Sequence, residues 1–112
     1  PSHALAQWGP CPDQQRLQRI VVADGLWEHA SGLIILTAVF ARTQVKYGER
    51  GYRFVLLDAG HLAQNLLLVC EDLRLAAIPL GGFQDDELAE LLGLDPAEEG
   101  PLYAILIGAA QR

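Results

Sequence analysis

The stretch from Tyr52 to Leu75, YRFVLLDAGHLAQNLLLVCEDLRL, is long, almost free of breakers, and apolar on nearly every side. Leu56, Leu57, Leu62, Leu66, Leu67, Leu68 and Val69 do not fit one narrow stripe, and a helix that is apolar all round is a buried helix. Asp58, His61 and Asn65, at i, i+3 and i+7, add a single polar line along it. Buried polar groups left unpaired cost roughly 1–3 kcal/mol each. The line therefore calls for partners: a cofactor, a second subunit, or neighbouring backbone.

The rest of the chain limits how such a helix is covered. With 112 residues there is room for one domain and one modest core, and a hydrophobic content of 51% is high for so small a unit. The excess predicts burial against another subunit. A net charge of −6 lacks the basic footprint that general nucleic-acid binding needs. Cys11 and Cys70 make no disulfide framework, so a reducing, cytoplasmic setting is expected. No membrane span is expected, because the best apolar run, 33–41, is about half the length a span requires. The chain begins at Pro1 rather than Met, as a processed or truncated piece of a longer protein does.

Periodicity and punctuation predict an α/β or α+β layer. Residues 1–32 form a lead-in: an irregular start, a helix from Gln14 to about Ala23 with Asp13 as N-cap, and a helical turn over 26–30. Leu33–Phe40 is short, apolar and rich in β-branched residues, which predicts a central strand buried on both faces. Residues 42–51 are polar and break the apolar pattern before the long helix. Further strands are expected over 76–80 and 102–107. A short helix capped by Gln84 or Asp85 and ended by Gly93 lies between them.

Four features have the right chemistry for a site. Arg42, Lys46, Arg50 and Arg53, with only Glu49 against them, suit an anionic ligand or simply form a solvated segment. Lys46 and Tyr47 are a candidate general acid/base pair if neighbouring cations tune them. Pro79, Leu80, Gly81 and Gly82, followed by Phe83, either let the backbone approach a planar ligand or make a tight strand-to-helix connection. The Asp58, His61, Asn65 line is the fourth, and no Cys/His spacing supports a metal site.

Taken together and in this order, the strings KYGERGYR, DAGHLAQNL and PLGGF resemble the C-terminal half of the flavin-dependent nitroreductase superfamily, and within it the SagB-type dehydrogenases, which oxidise thiazoline and oxazoline rings in peptides. The resemblance runs from about Leu33 to Gly108. It implies an α+β fold with a mixed sheet flanked by helices, residues 33–112 being the C-terminal half of one nitroreductase-like domain. It also implies a homodimer whose interface is centred on the 52–75 helix. FMN is the implied cofactor, with Pro79, Leu80, Gly81 and Gly82 against its ring and Arg42 and Arg50, with Arg53 or Arg112, as candidates for its phosphate. Lys46 is implied as the base and Tyr47 as its orienting partner, roles that could be exchanged. The implied partners are a peptide substrate or a nicotinamide. The rival reading is a non-catalytic scaffold, or a fragment, that keeps the fold without the phosphate site.

Overall fold

In the computed structural model, which describes residues 2–110, three strands and four helices follow in the order α1 (Gln14–Ile20), β1 (Ala30–Ala38), α2 (Phe40–Tyr47), α3 (Arg50–Asp72), β2 (Leu75–Leu80), α4 (Asp85–Leu92) and β3 (Gly100–Ala109). A 3-10 turn over Trp27–His29 precedes β1. The class is α+β, as expected. Arg112 falls outside the described residues.

The strand order is β1-β3-β2, with both pairings antiparallel. β1 and β2 thus run in the same direction but are separated by β3. The mixed sheet implied by the resemblance is antiparallel throughout within the described residues. The central strand is β3, where Ala104 and Ile105 are fully buried, and not β1. β1 is an edge strand whose Leu33–Leu36 are only half-buried. Its composition suits burial on both faces, but strand order depends on the path of the connections, which local composition does not encode. Proline occurs where a missing N–H is tolerated: Pro79 lies on the other edge strand, and Pro101 sits at the register shift between Leu36 and Thr37.

The lead-in contributes to the core. Ile20, Val21, Ala23 and Trp27 pack with Leu88, Ala104 and Leu106. Trp27 Nε1–H donates to the Val21 carbonyl at 3.2 Å, and Gln14 Nε2 donates to the Trp27 carbonyl at 3.1 Å. Asp13 stands at the N-cap, but it accepts the Arg16 and Leu17 N–H groups through its carbonyl and its side chain makes no cap bond. α1 ends at Ile20 rather than Ala23 because Val21 forms a bridge with Phe83, and Val22 N–H donates to Gly82.

Residues 42–51 hold a helix that the sequence pattern does not show. α2 is polar and buries no residue fully. It is fixed from outside, by a Phe40–Tyr52 ring stack at 5.3 Å and by close packing of Gly51 on Gln44. Gly48, at φ 58, supplies the turn into α3.

α3 spans Arg50–Asp72, beginning two residues and ending three residues earlier than expected, and it is not buried all round. Only Gly51, Ala63 and Cys70 are buried, while Leu56, Leu57, Leu62, Leu68 and Val69 stand out in solvent. One side packs on α2 and the sheet, leaving the rest of an apolar circumference uncovered by the described residues. Asp58, His61 and Asn65 lie on the outward side. His61 Nδ1–H donates to the Leu57 carbonyl at 2.8 Å. α3 is also long and apolar enough to cross a membrane, which the 33–41 run is not. Asp58 near its middle works against such a placement, since a charge at the bilayer centre costs ~2.5–3.5 kcal/mol.

Arg74, between α3 and β2, has φ 57, a left-handed conformation that disfavours a side chain. Arg74→Gly is expected to raise stability by about 0.5–1 kcal/mol, after allowing for the greater freedom of glycine in the unfolded chain. A urea titration checks the sign: an unchanged or lowered midpoint goes against it.

Candidate functional site

The elbow between α2 and α3 gathers the basic residues. Lys46 and Tyr47 occupy the last turn of α2, and Arg50 opens α3. Lys46 Nζ stands 5.0 Å from the centre of the Tyr47 ring, a cation–π geometry. The Tyr47 ring meets Phe54 edge-on at 4.9 Å and is 45% exposed. Tyr47 is therefore oriented by two neighbours while its surface stays open to a ligand. The neighbour of the ammonium is the ring face, so within this chain the pair is in contact without a hydrogen bond between them.

Arg42, one turn before Lys46 on α2, lines an open groove of about 510 Å³ between β1, α2 and α3. Thr37, Thr43, Asp58 and Glu99 share its wall, and Thr37 Oγ1 donates to Glu99 Oε1. Sequence reasoning did not anticipate Thr37, Thr43 and Glu99 as neighbours of Arg42. The one available signal is Thr37, a lone polar residue within an apolar run.

The second part of the site is at the end of β2. Pro79 and Leu80 are the last strand residues, paired with Ile105 and Ala104. Gly81 and Gly82 then leave the sheet. Phe83 anchors the far side by its bridge to Val21 and its packing on the core. The Gly82 carbonyl accepts Val22 N–H, and Gln84 N–H donates to Ile20, both at 2.9 Å. The loop is thereby tied down on both sides. Neither glycine has positive φ, and a Cβ built on either meets nothing within 4 Å. The fold of this chain does not require glycine at these positions. What their smallness preserves is open space beside a fixed backbone.

The structure brings Lys46, Tyr47 and Arg50 to one elbow and holds Pro79, Leu80, Gly81 and Gly82 in one firm loop. No hydrogen bond or ring contact links the two groups among the described residues, and the Arg42 groove has no wall from 79–83.

Comparison with known proteins gives a consistent picture. The family model for the nitroreductase family matches residues 3–109. A nitroreductase-like protein of Methanocaldococcus jannaschii is 37% identical over 76 residues, which cover 68% of this chain and 37% of the relative. The microcin B17-processing protein McbC of Escherichia coli is 29% identical over 75 residues, 67% of this chain and 28% of the relative. Among solved structures, a nitroreductase-like protein from Anabaena variabilis superposes with a TM-score of 0.79 at 34% identity, covering 84% of this chain and 19% of its own. A chain of the E. coli microcin synthetase McbBCD complex, solved with truncated pro-MccB17 bound, superposes at 0.68 and 28% identity, covering 71% of this chain and 30% of its own. The chain thus spans little more than a third of the length of these relatives, or less.

Proposed function

The chain belongs to the nitroreductase family, and from that premise we propose that it is part of an FMN-dependent oxidoreductase of the SagB type, working as a homodimer joined through α3. The observation that carries the proposal is the loop after β2. Gly81 and Gly82 are tied down behind and open in front, with no role for their missing side chains in this chain's own packing. The open space beside that fixed backbone leaves room for a planar ring system to lie against it. Bound there, FMN supplies a two-electron centre that takes up or gives hydride at N5.

The chain's own residues have three tasks. Pro79, Leu80, Gly81 and Gly82 present backbone to the ring, with the glycine N–H groups as donors. Arg42 and Arg50 provide positive charge for the phosphate. Lys46 Nζ, once it has shed its own proton to become the neutral amine, takes the ring proton of an azoline as it is oxidised to an azole, and Tyr47, braced by Phe54, orients the substrate or the base. No hydrogen bond or ring contact joins the two parts of the site among the described residues, and in this reading the homodimer brings them together. A heterocycle-bearing peptide is the substrate class favoured, by analogy with the neighbouring complex that holds truncated pro-MccB17. A nicotinamide is the alternative hydride partner. The unpaired cysteines, Cys11 exposed and Cys70 buried, suit a cytoplasmic setting.

The visible spectrum of the purified full-length protein tests this. An oxidised-flavin band released on denaturation is the expected result. A protein that stays colourless when FMN is added would favour the scaffold reading. Lys46→Ala is expected to keep the flavin band and lose turnover by roughly 10²–10⁴-fold. Undiminished turnover in that variant removes Lys46 from the proton transfer.

A further inference from the structure

We infer that Trp27 is a positioning residue for the loop after β2: its indole N–H, acting through Val21, fixes the backbone that holds Gly81 and Gly82 in place. The inference rests on the reading above for what the loop binds, a flavin ring. A buried indole N–H needs an acceptor. Trp27, only 7% exposed, finds one in the Val21 carbonyl at 3.2 Å, six residues back. Gly25, at φ 74, makes the turn that lets the chain come back on itself. Gln14, at the start of α1, steadies Trp27 from the other side by donating to its carbonyl at 3.1 Å.

Val21 is the link. It is fully buried, and its own N–H is committed to the Leu17 carbonyl at 2.8 Å, where α1 ends. Val22 N–H donates to Gly82 and Gln84 N–H donates to Ile20, both at 2.9 Å, so residues 20–22 and 82–84 form one rung with Val21 opposite Phe83 at its centre. In a rung of this kind the N–H and C=O of the central residues point away from the partner segment. The Val21 carbonyl therefore faces the lead-in, where Trp27 meets it. Among the described residues no other hydrogen bond ties 81–84 to a segment outside α4. Neither Gly81 nor Gly82 gives its N–H to another described residue, so the rung grips the loop by a carbonyl and leaves its donors free. Without the indole N–H, the Val21 carbonyl is buried and unpaired. A shift of 20–22 that relieves it moves Gly82 and Gln84 as well. The indole ring has a separate task, packing in the core with Ile20, Leu88 and Leu106. Trp27→Phe keeps an aromatic ring there and removes only the donor and part of the ring.

Amide hydrogen exchange and FMN titration of the full-length protein test the role, with Leu106→Val as a packing control in the same core. Trp27→Phe is expected to fold, to exchange the Val22 and Gln84 amides about tenfold faster relative to those of β3, and to bind FMN about tenfold more weakly. Leu106→Val should lower the unfolding midpoint while that exchange ratio and the FMN affinity stay at the parent values. Gln14→Leu, outside the core, should move both readouts in the same direction by about threefold. Parent values in a folded Trp27→Phe, or equal shifts in Leu106→Val, overturn the positioning role. Where Trp27→Phe fails to fold, parent values in Gln14→Leu overturn it. A parent that binds no FMN, with the two amides still loosened in Trp27→Phe, overturns the flavin reading and leaves Trp27 as the residue that places the loop.

Discussion

Gly108→Ala is expected to destabilise the protein by about 3 kcal/mol or more, since an added Cβ meets closer backbone there than at any other described glycine. A Cβ at that position lies 2.2 Å from the His29 carbonyl oxygen and 3.2 Å from its carbon. Both are backbone atoms, so no side chain can swing aside to make room. They also belong to the segment that enters β1, where Ala30 pairs with Gly108 just before a register shift. Relieving the clash means parting β1 from the central strand at that end. For a domain whose total stability is of order 5–15 kcal/mol, this is a large fraction. Thermal unfolding should show a midpoint lower by about 10 °C or more. A melt within two or three degrees of the parent would mean that β1 and β3 can separate there at little cost.

Gly81→Val is expected to do the reverse, sparing the fold and weakening the hold on the ligand. Its Cβ meets nothing within 4 Å and its φ is not in the left-handed region. The unfolding midpoint should therefore stay close to that of the parent. If the ring of FMN lies against this backbone, the isopropyl group occupies its place. Overpacking of that kind costs ~1–3 kcal/mol, which weakens FMN binding by up to about a hundredfold. Titration of the apoprotein, read by flavin fluorescence, checks it. Equal affinity in a variant of equal stability would move the flavin away from the loop after β2. The contrast between Gly81 and Gly108 is informative: one is small for something outside the chain, the other for something within it.

What could be read from the sequence differs by element. The long helix, the strands near 76–80 and 102–107, and the short helix with its acidic first turn and Gly93 end all follow from local patterns, and all are present. α2 was hidden because its helicity comes from Phe40 stacking on Tyr52 and Gln44 packing on Gly51, contacts with a helix that comes later in the chain. The rank of β1 in the sheet was hidden for a similar reason, since partners some seventy residues away decide it. The apolar circumference of α3 was plain, but its meaning was not. It signals surface that the described residues leave uncovered rather than a helix already buried. Of the candidate site, PLGGF was legible because a glycine pair between a strand and a helix is a local signal. The Arg42 groove was not, because Thr37, Asp58 and Glu99 come to it from three separate elements.

The strand order has a consequence for synthesis. Among the described residues β1 and β2 each hydrogen-bond only to β3, and β3 is the last of the three strands to be made. Ala30 must wait for Gly108 before that end of the sheet can close. Until then β1 and β2 lack the strand that pairs with both of them. Contacts so distant in sequence slow folding, and unpaired strands invite association with other chains. A nascent chain arrested before β3 should therefore be held by chaperones or degraded, and release of β3 from the ribosome should set the moment at which protease resistance first appears.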